Sequence, residues 1–128
     1  MFVFKAGVIG AGTMGGEIAQ VIAAAGIPVV LRDVEQRLVD AGRRTAEKVT
    51  AGQLDALVSK QRLSPEQADD ELARTLALIS GTTSWEGFGD VDFVIEAVPE
   101  RLDLKQAVFA QLDEATPGHA ILASNTSA

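Results

Sequence analysis

Cysteine is absent from the 128 residues, so disulfide bridges, thiol nucleophiles and thiolate metal sites are all excluded. Tyrosine is absent too, and there is one histidine and one tryptophan, which leaves a thin inventory for acid–base catalysis. No apolar run approaches the roughly 20 residues of a membrane helix, and Met1-Phe2-Val3-Phe4-Lys5 lacks the basic and long apolar regions of a signal peptide. A cytoplasmic protein is therefore expected. Positive charge is also scarce: eleven basic residues face eighteen acidic ones for a net −7, which opposes a general electrostatic grip on nucleic acid or an anionic membrane. No metal is expected. What remains is ordinary for a globular chain, with 47% hydrophobic and 23% charged residues, and the length suits one domain with a core.

The order of segments predicts an α/β fold. Ala6-Gly7-Val8-Ile9 is short and apolar and is stopped by Gly10-Ala11-Gly12, the pattern of a buried strand entering a tight turn. Met14, Ile18, Val21, Ile22 and Ala25 then recur at helical spacing, giving a helix over about 13–25 with Gly26 at its C′ position. Ile27-Pro28-Val29-Val30-Leu31 reads as a second strand ending at Arg32-Asp33, with proline only at its start. Strand, helix and strand make one right-handed βαβ unit. From Glu35 to about Lys60 a long polar helix is expected, then a break at Gln61 to Leu63. A further helix starts at Ser64-Pro65-Glu66-Gln67, where Ser64 suits the N-cap, Pro65 the first helical position and Gln67 a capping box. This helical hairpin occupies about 35–76. Leu76 to Ile79 is expected as a strand, Trp85 to Phe88 as a turn, Phe93 to Ala97 as a strand, Leu102 to about Asp113 as a helix and Ala120 to Ala123 as a fifth strand.

Gly10-Ala11-Gly12-Thr13-Met14-Gly15 is a G-x-G-x-x-G, weak alone but here in its required frame. It follows a strand, opens a helix, and has Asp33 at the end of the next strand, 18 positions after Gly15. Gly10 makes the tight turn, Gly12 admits a pyrophosphate close to the backbone, and Gly15 lets the helix lie against the strand; the helix N-terminus then faces the phosphates. The alternative is a glycine-rich turn with no ligand. Charge is compatible with phosphate: residues 1–34 balance Lys5 and Arg32 against Glu17 and Asp33, so the whole −7 lies in 35–128. A carboxylate at Asp33 would accept the ribose hydroxyls of NAD and repel the 2′-phosphate of NADP. Arg32 complicates this, because a basic side chain there could hold that phosphate, but alternation along a strand sends Arg32 and Asp33 to opposite faces. NAD is the expected cofactor.

These segments resemble the NAD-binding domain of the L-3-hydroxyacyl-CoA dehydrogenases along essentially the whole chain. The resemblance is carried by Val8-Ile9-Gly10-Ala11-Gly12-Thr13-Met14-Gly15, Val30-Leu31-Arg32-Asp33, and the hairpin with Gln61-Arg62-Leu63-Ser64-Pro65-Glu66. It continues through Val94-Ile95-Glu96-Ala97-Val98-Pro99-Glu100 and Ala123-Ser124-Asn125-Thr126-Ser127. It implies a Rossmann-type doubly wound parallel sheet in the order 3-2-1-4-5-6 with the hairpin inserted, here truncated after about the fifth strand. It also implies cofactor contacts at Gly10, Gly12, Thr13, Met14, Gly15, Asp33, Glu100, Lys105 and Asn125, and a catalytic role for Ser127. The implied reaction is hydride transfer between a 3-hydroxyacyl-CoA and NAD, with a histidine as base and a glutamate orienting it.

There the sequence departs from the family. The base is expected downstream of Ser-Asn-Thr-Ser, whereas His119, the sole histidine, precedes it in Thr116-Pro117-Gly118-His119 and reads as a turn residue. The expectation is a chain comprising the NAD-binding domain at 1–128, without the helical substrate domain, that binds NAD but does not turn over by itself. A 3-hydroxyacyl-CoA or 3-oxoacyl-CoA substrate and a homo-oligomer are expected of the full-length enzyme. A chain cut here would expose Ile121-Leu122 as a sheet edge and invite association. Lys60 and Arg62 at the hairpin tip are candidates for CoA phosphates, or merely for solvation of the tip. Two other readings remain: a relative of the β-hydroxyacid dehydrogenases, which share G-x-G-x-M-G but usually lack such a hairpin, and a non-catalytic NAD(H)-binding module.

Overall fold

A computed structural model of the chain describes residues 4–97 and 121–124. The elements run β1 (Ala6–Ile9), α1 (Gly12–Ala24), β2 (Val29–Arg32), α2 (Gln36–Ser59), α3 (Pro65–Ala77), β3 (Ile79–Thr82), β4 (Phe93–Glu96) and β5 (Ile121–Ser124). The strands form one sheet in the order β3-β2-β1-β4-β5, with every pairing parallel. That is the doubly wound order expected, reversing at β1 between β2 and β4.

Period-two alternation divides the sheet cleanly. Ala6 and Val8 of β1 and Val29 and Leu31 of β2 face the helices, where they form a core with Ala19 and Ala23 of α1 and Ala46 of α2. Gly7 and Val30 face the other way and are covered by the segment after β3: a Cβ at Gly7 would lie 2.6 Å from the Phe88 ring, and one at Gly87 would lie 3.4 Å from Val30 Cγ2. The same segment returns to the start of β1, where Asp92 Oδ2 accepts the Phe4 and Lys5 N–H groups at 2.9 and 3.1 Å and Lys5 Nζ reaches Asp90 at 2.8 Å.

The caps explain where the helices stop. After α1, the Gly26 N–H bonds Ala23 O and the Ile27 N–H bonds Ile22 O, a Schellman closure with Gly26 at φ 89°. The same closure ends α2 through Gln61 N–H to Val58 O and Arg62 N–H to Leu57 O, with Gln61 in the left-handed region at φ 58°. The Ser64 capping box is fully formed, Gln67 N–H to Ser64 Oγ at 3.1 Å and Ser64 N–H to Gln67 Oε1 at 2.9 Å.

One strand lies elsewhere than expected. Helix α3 continues through Ala77, so β3 begins at Ile79 instead of Leu76. Leu76 is a helical residue packed against the core, and the strand is the polar edge sequence Ile79-Ser80-Gly81-Thr82. The expected helix at 102–113 and His119 lie outside the described residues.

Candidate dinucleotide site

The candidate site is the corner where β1 and β2 end. Gly10 and Gly12 have φ of 95° and 73°, a backbone path that side chains resist, and the chain turns there from β1 into α1. Gly15 answers to a different demand. A Cβ on it would stand 1.8 Å from Gly10 O, so only glycine allows the first turn of α1 to press against the end of β1. A second close approach has no counterpart in the sequence pattern: a Cβ on Gly16 would meet Gly42 O at 2.3 Å, so α1 and α2 cross backbone to backbone. Their spacing in sequence gives no hint of it.

The N-terminus of α1 is open to a ligand. Ala11 at its N-cap supplies no side-chain hydrogen bond, and no acidic residue stands in its first turn. Among the described residues, its chain neighbours and own helix backbone aside, no atom lies within 4 Å of the position a Cβ on Gly12 would take. Thr13 and Met14 are exposed on that turn, Met14 at 52% and, across the corner, Val34 at 66%. The N–H groups and dipole at the start of α1 thus carry no N-cap side chain, the arrangement that receives phosphate.

Asp33 faces this corner and is held there. Its Oδ2 accepts the Ala11 N–H at 2.8 Å and its Oδ1 the Val34 N–H at 2.6 Å. The carboxylate is thus pinned to the glycine turn, with further lone pairs for hydroxyl donors. Arg32 goes the opposite way, as alternation requires. It is only 7% exposed, its Nε donates to Ser84 O at 3.0 Å, and its guanidinium lies 4.0 Å from the centre of the Trp85 ring. Burial pushes its pKa down, and the nearby Asp33 charge works against that push. The register aligns Arg32, Ile9 and Glu96 across the carboxyl edge, with Glu96 fully buried. The sequence assigns no role to Glu96 or Ser84, and reads Trp85 only as the start of a turn.

The structure thus brings Gly10, Gly12, Thr13, Met14, Gly15 and Asp33 together. Glu100, Lys105, Asn125 and Ser127 lie outside the described residues. The hairpin tip is not at this corner. Helix α2 starts beside it and runs 24 residues, about 36 Å at 1.5 Å per residue. Arg62 at the far end shares a cleft of about 660 Å³ with Gln20 and Ala24, from the second half of α1.

The family model of the 3-hydroxyacyl-CoA dehydrogenase NAD binding domain matches residues 5–128. The peroxisomal fatty acid beta-oxidation multifunctional protein of Arabidopsis thaliana is 37% identical over 123 residues, 96% of this chain and 16% of that one. The glyoxysomal multifunctional protein of Brassica napus is 40% identical over the same shares. Among solved structures, the (S)-3-hydroxybutyryl-CoA dehydrogenase of Ralstonia eutropha superposes with a TM-score of 0.81 at 38% identity, covering 98% of this chain and 42% of that one. The chain therefore spans about a sixth of the two plant relatives and 42% of the solved structure. The two plant relatives are peroxisomal and glyoxysomal by name, so a cytoplasmic location gains no support from them; among the described residues no helix is long and apolar enough to cross a membrane.

Proposed function

The chain belongs to the family of 3-hydroxyacyl-CoA dehydrogenase NAD-binding domains, and from that membership we propose that it is the cofactor half of an oxidoreductase acting on 3-hydroxyacyl-CoA. NAD is the cofactor of this family. Bound here, it would supply a nicotinamide able to take a hydride from the C3 hydroxyl carbon or return it to the 3-oxo group.

The observation that carries the reading is the pinned Asp33 carboxylate beside an uncapped helix end where, among the described residues, nothing crowds the Gly12 Cβ position. In this assignment the backbone around Gly10, Gly12 and Gly15 binds the pyrophosphate, with Thr13 and Met14 at its side, and Asp33 accepts the adenine-ribose hydroxyls. Met14 and Val34 offer apolar surface for the flat base. Glu100, Lys105 and Asn125 are assigned to the cofactor and Ser127 to the reacting hydroxyl on the strength of the resemblance. A 3-hydroxyacyl-CoA or 3-oxoacyl-CoA substrate and a homo-oligomeric assembly are proposed for the whole protein on the same ground.

The 128 residues alone should bind NADH without reducing acetoacetyl-CoA, because their sole histidine, His119, precedes the Ser-Asn-Thr-Ser stretch that a family base would follow. Titrating NADH fluorescence and then assaying acetoacetyl-CoA reduction tests both halves of the proposal. Saturable binding without turnover is expected; failure of the folded chain to bind NADH overturns the assignment of the cofactor corner, and turnover near that of a full-length relative overturns the division of labour.

A further inference from the structure

We propose that a lock formed by Trp85 and Ser84 withholds Arg32 from the 2′-phosphate of NADP and so adds to the selectivity for NAD expected of the Asp33 carboxylate. The inference rests on the cofactor reading above and adds a residue-level cause of its selectivity.

Arg32 is the last residue of β2, one Cα step of about 3.8 Å from Asp33. At a strand end, unlike mid-strand, a long side chain has room to turn around the edge of the sheet. A guanidinium there has the fork of donors that a phosphomonoester takes. Left free, it would offset the repulsion that Asp33 exerts on NADP.

It is withheld by a chain of contacts on the sheet face opposite α1 and α2. The Trp85 ring lies over the guanidinium and the Ser84 carbonyl accepts its Nε–H. Trp85 packs edge-on against Phe88, ring centres 5.1 Å apart, and Phe88 is fully buried against the bare backbone of Gly7. The Ser84 carbonyl is set by its own turn, in which the Ser84 N–H donates to Thr82 Oγ1 at 3.1 Å and the Glu86 N–H to Ser84 Oγ at 3.2 Å. Arg32 itself is buried, Trp85 is half-buried and the bond to the Ser84 carbonyl is part-buried, so the cation–π contact and the charge-assisted hydrogen bond are each less screened than at a fully exposed site. Releasing Arg32 forfeits both. Among the described residues Arg37, three positions after Val34, is a further cation close in sequence to Asp33; it is exposed and paired with Glu35 at 2.7 Å, so it is a rival partner for a phosphate and serves as the control.

The test measures NADH and NADPH affinities by fluorescence titration of the whole chain and of variants confirmed as folded by circular dichroism. Asp33→Ser provides a background without the repelling carboxylate. Adding Trp85→Leu, which keeps apolar bulk on Phe88 but removes the aromatic face, should raise NADPH affinity by about tenfold relative to NADH, the scale of one additional ion pair between a guanidinium and a phosphate. Adding Arg32→Met should cancel that increase, and adding Arg37→Ala should not. An unchanged NADPH:NADH ratio on Trp85→Leu, or an increase that survives Arg32→Met, overturns the lock. Arg32→Met placed directly on Asp33→Ser checks the same point without touching Trp85: no change in NADPH affinity is expected, and a loss would show that Arg32 already reaches the phosphate. If the folded native chain does not bind NADH, the cofactor reading itself fails; if it binds NADH and the ratios do not move as stated, the lock alone fails.

Discussion

Gly12 and Gly15 stand three residues apart in one motif, yet adding a methyl group to each should have different results. At Gly15 the new carbon would sit 1.8 Å from Gly10 O, and even a tight 3.4 Å contact requires the helix to retreat by about 1.6 Å. Because the obstacle is backbone, no rotamer relieves it. The cost should be at or above the upper end of the roughly 1–3 kcal/mol typical of overpacking, and the start of α1 should leave the corner. At Gly12 the methyl meets nothing within 4 Å, and the penalty is the left-handed φ of 73° alone, about 1–2 kcal/mol. That methyl would occupy the space assigned to the pyrophosphate. Urea denaturation and NADH titration of the two variants separate these effects. Gly15→Ala should lose both stability and binding, whereas Gly12→Ala should stay folded and bind NADH at least about tenfold more weakly, a change of about 1.4 kcal/mol or more. A Gly15→Ala protein as stable as the native one would refute the close-approach argument, and a Gly12→Ala protein with native affinity would refute the placement of the phosphates.

Other perturbations test separate parts of the account. Asp33→Ala removes a charged acceptor from the proposed ribose contact and frees the Ala11 N–H, so NADH affinity should fall by about tenfold or more, on the scale of about 1.5–3 kcal/mol for a charged hydrogen bond; native affinity in a calorimetric titration would count against it. Ser64→Ala removes the Oγ that accepts the Gln67 N–H, while the backbone N–H at position 64 can still donate to Gln67 Oε1, and should cost about 1 kcal/mol in urea unfolding with NADH binding unchanged. Gln61→Gly should raise stability by up to about 1 kcal/mol, because glycine relieves a left-handed residue at the end of α2, less its own entropy cost; a lower melting temperature would contradict this. Phe88→Ala should cost about 3–5 kcal/mol, since the ring is fully buried against Gly7.

Where local chemistry determined the structure, the sequence was informative. The glycine turn, the apolar strands β1 and β2, the Ser64-Pro65 helix start and Gly26 after α1 each combine residue types whose backbone preferences agree with their place in the fold. β3 was misplaced because its residues carry little strand signal: Ser80, Gly81 and Thr82 are polar or small, and pairing with β2 makes them a strand. The end of α2 showed only as a break, since its left-handed residue is a glutamine. The parts of the site that stayed hidden depend on contacts distant in sequence. The pairing of Gly16 with Gly42 and that of Arg32 with Trp85 join segments that only the folded sheet brings together. Alternation did show that Arg32 and Asp33 diverge, but not what would hold Arg32.

The central claim, that the β1–β2 corner of this chain takes NAD, is tested most directly by parallel equilibrium titrations of the native chain with NADH and NADPH. The account predicts saturable one-to-one binding of NADH and weaker binding of NADPH. Equal or tighter binding of NADPH, or no binding of NADH by chain shown to be folded, would contradict it.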